Sequence, residues 1–376
     1  MRSRVLLSVL VVLVFESAFA IPAYRKTSLP YTNKAVDTID TRLYNYAKTT
    51  PQDITQDIDK LVEYLKQPAS TQRDIVKVFS YWIMQNISYD IDGFLNSNFN
   101  TEGPSGTLRR KIGVCQDYSE LFKAMCDRAN IKCYLIVGYA KAFDYKPGNS
   151  FKKANHAWNI VWLDNTYYLM DLTWSSGFVQ YVDNNLRYFI QSDMSQIFAT
   201  PETFVEKHLP TDPKWQLLNY PVSMQRFVKF DSPRDMLHDS TIYYNYKDTL
   251  ATFEKLDKDS QEIQSANAAY NFYPILSDFA YHYYNLAVNY SNTATDYYNA
   301  AVSSYNKSIT DNNGAPVASG AYNKTGVNNA IDYYSKAVNL LMKIRNYADN
   351  DINAGELLNK CSQGLDASTE MMKTLK

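Results

Sequence analysis

From His156 to Trp174 the chain alternates in a way that leaves it little conformational freedom. His156-Ala157-Trp158-Asn159-Ile160-Val161-Trp162-Leu163 and Thr166-Tyr167-Tyr168-Leu169-Met170-Asp171-Leu172-Thr173-Trp174 are rich in aromatic and β-branched residues, and only Asp164-Asn165 separates them. Two such runs around a two-residue turn predict an antiparallel hairpin. The turn pairs Leu163 with Thr166, and counting outward sets Asp171 opposite Trp158. Strand side chains alternate with period two, so His156 shares a face with Trp158 and therefore with Asp171. The two become diagonal neighbours with Cα atoms roughly 7–8 Å apart. That separation suits a carboxylate bonded to an imidazole. A His and an Asp share a face by chance about half the time, so the pairing needs independent support.

Support comes from upstream. Gly113-Val114-Cys115-Gln116-Asp117-Tyr118-Ser119 runs from a glycine-containing turn into a segment where Tyr118, Leu121, Phe122, Met125 and Cys126 recur at helical spacing. This predicts a helix over 116–128 with one buried face. Cys115 then sits at the helix N-terminus, where unpaired backbone N–H groups and the helix dipole favour a thiolate. A lone cysteine is more often a small buried hydrophobe; a base and an orienting carboxylate on a neighbouring sheet change that balance. Cys133–Tyr139 predicts the strand between the helix and the hairpin. Ahead of Cys115, helices are expected weakly over 37–47, over 53–66 (Ile54, Ile58, Leu61, Val62 and Leu65 on one face) and over 70–86. Ile87–Asp90 is extended, and 92–110 is a polar loop containing Gly93, Gly103 and Gly106. Such loops beside an active site often contact substrate.

The motifs also occur in a familiar order. Tyr81-Trp82-Ile83, Asn86-Ile87 and Tyr89-Asp90 are followed by Gly113-Val114-Cys115-Gln116-Asp117-Tyr118, Val137-Gly138-Tyr139-Ala140-Lys141, His156-Ala157-Trp158-Asn159 and Asp171-Leu172-Thr173-Trp174. Over about residues 70–180 this resembles the transglutaminase-like cysteine-enzyme superfamily, in the branch that includes kyphoscoliosis peptidase and secreted bacterial relatives. The resemblance implies an α+β, papain-like core, with a nucleophile helix packed on an antiparallel sheet. It also implies a triad of Cys115 as nucleophile, His156 as base and acid, and Asp171 as orienter. The expected activity is that of a cysteine peptidase or amide hydrolase acting through a thioester on protein or peptide amides. The alternatives are a protein transamidase that cross-links chains, or a non-catalytic peptide-binding scaffold. Peptide N-glycanases share the core, but their paired CxxC zinc motif is absent from this chain.

In such a site the Cys115 backbone N–H is the first oxyanion donor. Trp82, Tyr89 and Gln116 are candidates for the second. Trp158, Trp162 and Trp174 are expected as core and pocket-wall aromatics, with Trp158 and Trp174 also candidate substrate contacts. Asp117 serves the helix N-terminus or the substrate equally well, and Tyr139 and Lys141 lie where they can line a cleft. His208 is a rival base on paper, but in a proline-rich stretch without a partner motif it is expected to be structural.

The remainder is read from composition. The chain has 376 residues, a formal net charge of −1 and four cysteines. That charge gives no electrostatic basis for nucleic-acid binding. Four cysteines are too few for a disulfide scaffold, and no spacing calls for a metal or cofactor; Cys126 and Cys133 can pair or stay thiols. Arg2 and Arg4, the apolar run Val5–Phe15 and Ala18-Phe19-Ala20 make residues 1–20 a signal peptide. The mature chain is expected to begin near Ile21, without a transmembrane anchor, in a secreted or periplasmic setting. The expected domains are lead-in helices over 21–69, a catalytic domain over 70–235 and an all-α bundle over 236–376. In the last, Tyr-Tyr-x-x-Ala-Val recurs at 283–288, 297–302 and 333–338. Its Tyr and Ala share a helix face, and the bundle either caps the catalytic domain or binds a protein partner.

Overall fold

The computed structural model describes residues 39–96, 102–237, 243–311, 324–346 and 353–375. The expected signal peptide and the start near Ile21 lie outside the described residues. Three helices lead: α1 (Thr41–Lys48), α2 (Ile58–Lys66) and α3 (Gln72–Asn86). The helix expected over 53–66 starts at Ile58 instead. Asp57 caps it, accepting the N–H groups of Asp59 and Lys60 at 3.0 and 3.1 Å, and Gln52–Ile54 forms a separate 3-10 turn. α3 opens on a capping box between Thr71 and Asp74 and buries Val76, Val78, Phe79, Trp82 and Ile83.

The stretch expected to be a loop carries structure. After β1 (Ser88–Tyr89) come α4 (Ile91–Asn96), α5 (Pro104–Arg110) and β2 (Ile112–Gly113), which pairs in parallel with β1. α5 starts with Pro104 in its first turn, buries Gly106, Thr107 and Leu108, and ends at Lys111 in the left-handed region, φ 57°. Its small residues give no periodic signal; packing against the next helix holds them. That helix, α6 (Cys115–Arg128), buries Tyr118, Leu121, Phe122, Met125 and Cys126 as their spacing predicts. Cys126 and Cys133 are buried free thiols, hydrogen-bonded to each other.

The sheet follows. β3 (Cys133–Ala140), β4 (His156–Leu163) and β5 (Thr166–Met170) are antiparallel neighbours, and Leu163↔Thr166 through Asn159↔Met170 is the register counted from the turn. The hairpin ends earlier than expected. At Asp171 the chain leaves the ladder: its N–H donates to Gln196 O at 2.9 Å, and its side chain caps α7 (Leu172–Ser176), accepting Trp174 N–H at 3.0 Å. Asp171, three positions before Trp174, ends the strand and serves as a helix cap.

A second hairpin, β6 (Gly177–Val182) and β7 (Asn185–Ile190), was not expected. Its turn repeats the first one's chemistry, with Asp183-Asn184 at φ 50° and 61° against Asp164-Asn165 at 49° and 57°. Two left-handed residues suit the strand twist. After α8 (Pro201–Phe204), β8 (His208–Pro210) adds to β3, giving the sheet order β5-β4-β3-β8. The short helices α9 (Met224–Lys229) and α10 (Pro233–Leu237) close this part.

Beyond it the chain is helical: α11 (Tyr246–Phe253), α12 (Lys258–Phe272), α13 (Leu276–Asp311), α14 (Lys324–Ile344) and α15 (Ala354–Thr374). Two copies of the Tyr-Tyr-x-x-Ala-Val pattern lie in α13 and one in α14, and they meet. Ala287, Tyr290 and Ala294 share a core with Tyr334, Ala337 and Leu341. Glu254 ties α11 to the sheet by accepting the hydroxyls of Tyr134 and Tyr167 at 2.7 and 2.8 Å. Among the described residues no helix is long and apolar enough to cross a membrane. The architecture is the expected one: α+β, a helix on an antiparallel sheet, then helices.

Candidate active site

The cysteine is set by the entry to α6. Asp117 folds back so that its Oδ2 accepts Val114 N–H at 2.9 Å, while its Oδ1 accepts the Thr107 hydroxyl at 3.3 Å. A Cβ on Gly113 would collide with the Asp117 side chain, which is why this turn takes glycine. Of the two roles open to Asp117, the cap is the one its contacts describe. Cys115 is the first helical residue and only 5% exposed. Its N–H belongs to the first turn, where helix geometry supplies no intrahelical acceptor.

Two asparagines place the histidine against this helix. Asn159, fully buried in β4, donates through Nδ2 to Ser119 O in α6 at 3.0 Å and to Tyr134 O in β3 at 3.3 Å. Asn155, just before β4, accepts Ala140 N–H at 2.7 Å, donates to Ala140 O at 3.0 Å and sends its own N–H to Gly138 O at 3.0 Å. His156 therefore leaves a doubly pinned backbone. Its Nε2–H donates to Asp171 Oδ2 at 2.8 Å, and the ring is also hydrogen-bonded to the Cys115 thiol.

Asp171 reaches His156 differently from the register argument. Its backbone has already left β5, and the cap turn swings the carboxylate beneath the imidazole. The electrostatics follow from who surrounds whom. Burial works against a charged His156, yet Asp171 and then Cys115 outweigh it and push its pKa up to about 10. Burial likewise works against the Asp171 carboxylate, but His156 and His208 hold it far below the ordinary carboxylate range. A buried imidazolium–carboxylate pair beside a cysteine is the result.

His208 is the residue that sequence reasoning missed. Expected to be structural because no motif named a partner for it, it has one in Asp171. β8 pairs Ala140 with His208, and its Nε2–H donates to the same Asp171 oxygen at 3.0 Å. Nothing in His208-Leu209-Pro210 advertises this, because the partner lies 37 positions away. His156, Asp171 and His208 bring three ligand-type atoms within 4.8 Å of one another, the one such group among the described residues. The same atoms are engaged in the two N–H···O bonds, which account for the cluster as it stands.

A cleft of about 370 Å³ opens beside His156. Tyr89, Phe94, Phe143, Trp174, Phe178 and Tyr188 give it an aromatic wall. The Phe143 ring lies 6.3 Å from Phe94 and 6.2 Å from Tyr181. Lys141 also lines it, but its Nζ is bonded to Asp231 at 3.1 Å. Of the expected oxyanion and substrate candidates, Tyr89 and Trp174 line this cleft and Trp158 lies buried under the histidines, 6.1 Å from His156 and 5.3 Å from His208. The β1–β2 bridge sets Tyr89 opposite Gly113, two residues from Cys115. Burial, then the nearness of Cys115, raises the Tyr89 pKa and keeps its phenol protonated. Trp82 and Gln116 do not line the cleft. The Trp82 ring lies in the core under Lys111 Nζ, 4.2 Å away, and Gln116 Nε2 donates to Glu120 at 2.9 Å. Trp162 packs tilted against Tyr167 with ring centroids 4.3 Å apart, outside the cleft lining, and Tyr139 donates to Asp278.

Residues 59–172 match the profile of the Transglutaminase-like superfamily. The chain is 34% identical over 187 residues to kyphoscoliosis peptidase of Homo sapiens, which covers 50% of this chain and 27% of that protein. It is 27% identical over 188 residues to a Lim and transglutaminase domain protein of Caenorhabditis elegans, covering 47% and 25%. The chain thus spans under a third of these relatives' lengths. Among solved structures, a TGase crystal structure is 18% identical, with a TM-score of 0.25 over 36% of this chain and 37% of that one.

Proposed function

We propose that this chain, which carries a transglutaminase-like domain, cleaves peptide or protein amides through a Cys115 thioester. What supports the reading is one observation: a hydrogen-bonded line from the Cys115 thiol through His156 to a carboxylate buried away from water. The Cys115 sulfur, its proton held by His156, attacks the substrate carbonyl carbon. A C–S bond forms and the carbonyl electrons move onto oxygen. The Cys115 N–H and the Tyr89 hydroxyl face that oxyanion. As the carbonyl re-forms, the C–N bond breaks and His156 passes its proton to the leaving amine. Water then attacks the thioester, His156 takes its proton, and the departing sulfur regains it. Asp171 keeps the imidazole aligned and stabilises its charged form throughout. The aromatic cleft supports a polypeptide substrate that presents an apolar side chain beside the scissile amide. The name of the human relative, a peptidase, agrees with water as the acyl acceptor.

The test uses the full chain with a peptide-amide library, with and without a primary amine, together with iodoacetamide labelling at neutral pH. Free carboxyl products that vanish in Cys115→Ala and His156→Gln are expected, with Cys115 alkylated faster than Cys361. Amine incorporation in place of hydrolysis would make it a transamidase. No turnover with Cys115 as slow as Cys361 would leave a binding protein. Tyr89→Phe should lower kcat on the order of 100-fold; an unchanged kcat removes Tyr89 from the site.

A further inference from the structure

Asp171 Oδ2 has two imidazoles on it. His156 Nε2 lies 2.8 Å away and His208 Nε2 3.0 Å away, and all three side chains are almost wholly shielded from water. The other oxygen, Oδ1, is taken by the Trp174 N–H. One carboxylate carries one negative charge, and in a low-dielectric interior it supports one imidazolium, not two. The two rings are not equivalent. His156 also touches the Cys115 thiol, so a proton there has a second acidic neighbour. His208 has no such neighbour. It is sandwiched among rings: Phe204 stacks on it at 4.0 Å and 17°, with Trp174 at 4.4 Å and Trp158 edge-on at 5.3 Å.

We propose that His208 is a positioning residue: its neutral imidazole donates Nε2–H to Asp171 Oδ2, fixing the carboxylate that aligns His156 while leaving the proton on His156. The proposal rests on the catalytic reading of Cys115 and His156 above and adds to it a second-histidine lock. The groups facing His208 pull both ways, and burial decides between them. Burial, and then the charged His156, push its pKa below the ordinary value, against the pull of Asp171 and the Phe204 backbone. Lys207, its neighbour in the chain, sits with its Nζ 6.0 Å from the Trp174 ring. A cationic side chain at 208 would satisfy Asp171 by itself and release His156 from its partner; a neutral donor shares the oxygen without cancelling its charge. Strand β8 holds that donor in place by pairing Ala140 with His208 and Gly138 with Pro210.

The experiment is the pH dependence of Cys115 alkylation by iodoacetamide in the full chain, compared among wild type, His208→Gln and His208→Phe. Reactivity needs both a thiolate and an imidazolium, so the profile has an acid edge and an alkaline edge. Removing the donor leaves Asp171 less stabilised as an anion and its charge more concentrated on His156. Both edges of His208→Phe should then move up, on the order of one pH unit, and His208→Gln, which keeps an N–H donor, should restore the wild-type edges. A His208→Phe profile that is merely lower but superimposes on wild type when scaled overturns the proposal, as does a His208→Gln profile that follows Phe. With four histidines in the chain, NMR of imidazole-labelled protein reads His208 independently of any reactivity. A neutral Nε2–H tautomer through neutral pH is expected, and a charged ring or an Nδ1–H tautomer overturns the lock. If His156→Gln leaves alkylation unchanged while the tautomer is as expected, the catalytic reading fails and the shared carboxylate stands.

Discussion

Asp171 accepts three N–H groups, from His156, His208 and Trp174, and these donors explain how a carboxylate stays charged where no water reaches it. Without them burial would favour the neutral acid. The same contact works on His156 in the opposite sense, and the sign can be followed into stability. A histidine whose folded pKa is raised from 6.5 to about 10 contributes stability that is complete below pH 6.5 and is lost as pH rises through about 10. His156→Gln should therefore cost about 3 kcal/mol near pH 6, and the difference from wild type should shrink steadily towards pH 10 in denaturant titrations. A difference that does not change with pH would mean that His156 is neutral in the folded protein. At this scale the sequence was partly legible. His156 and Asp171 were found because a two-residue turn sets register, whereas His208 was not, because no local pattern connects β8 to Asp171.

The elements divide along the same line. α6 and the β4–β5 ladder were readable because periodicities of 3.6 and 2 are written locally in apolar residues. α5, α7 and the β6–β7 hairpin were not. The first is held by burial of small residues, the second begins at a cap that competes with a strand, and the third is a half-exposed ribbon with a weak apolar alternation. Gly138 shows how tightly the sheet is assembled around the site. It pairs with His156 on one side and Pro210 on the other, and a Cβ there would run into the Leu209 carbonyl and the Trp158 ring. Gly138→Ala should cost about 1–3 kcal/mol, seen as a lower urea midpoint, and should loosen β8 together with His208. An unchanged midpoint would show that β8 can shift without loss and is no rigid support.

Across the whole molecule the helices reach the site through α13. Asp278, in its first turn, accepts the Tyr139 hydroxyl at 2.6 Å and the Ala154 N–H at 3.0 Å, two residues before His156. Burial raises the Asp278 pKa, so the contact is made at a cost that its two donors offset only in part. Asp278→Ala should lower turnover about tenfold, in keeping with a lost hydrogen bond to a charged group, and should speed amide exchange over residues 153–156. Normal exchange there would sever the helices from the catalytic geometry. The sequence by itself determined the helix that presents Cys115, the hairpin register and the order of motifs that resembles the transglutaminase-like superfamily, because each is encoded within one or two turns of chain. Only the tertiary structure decided that Asp171 caps a helix, that His208 shares its oxygen and that Asp278 props the strand of His156. The last two contacts join residues 37 to 139 positions apart, and a hydrogen bond across such a distance leaves no period in the sequence to read.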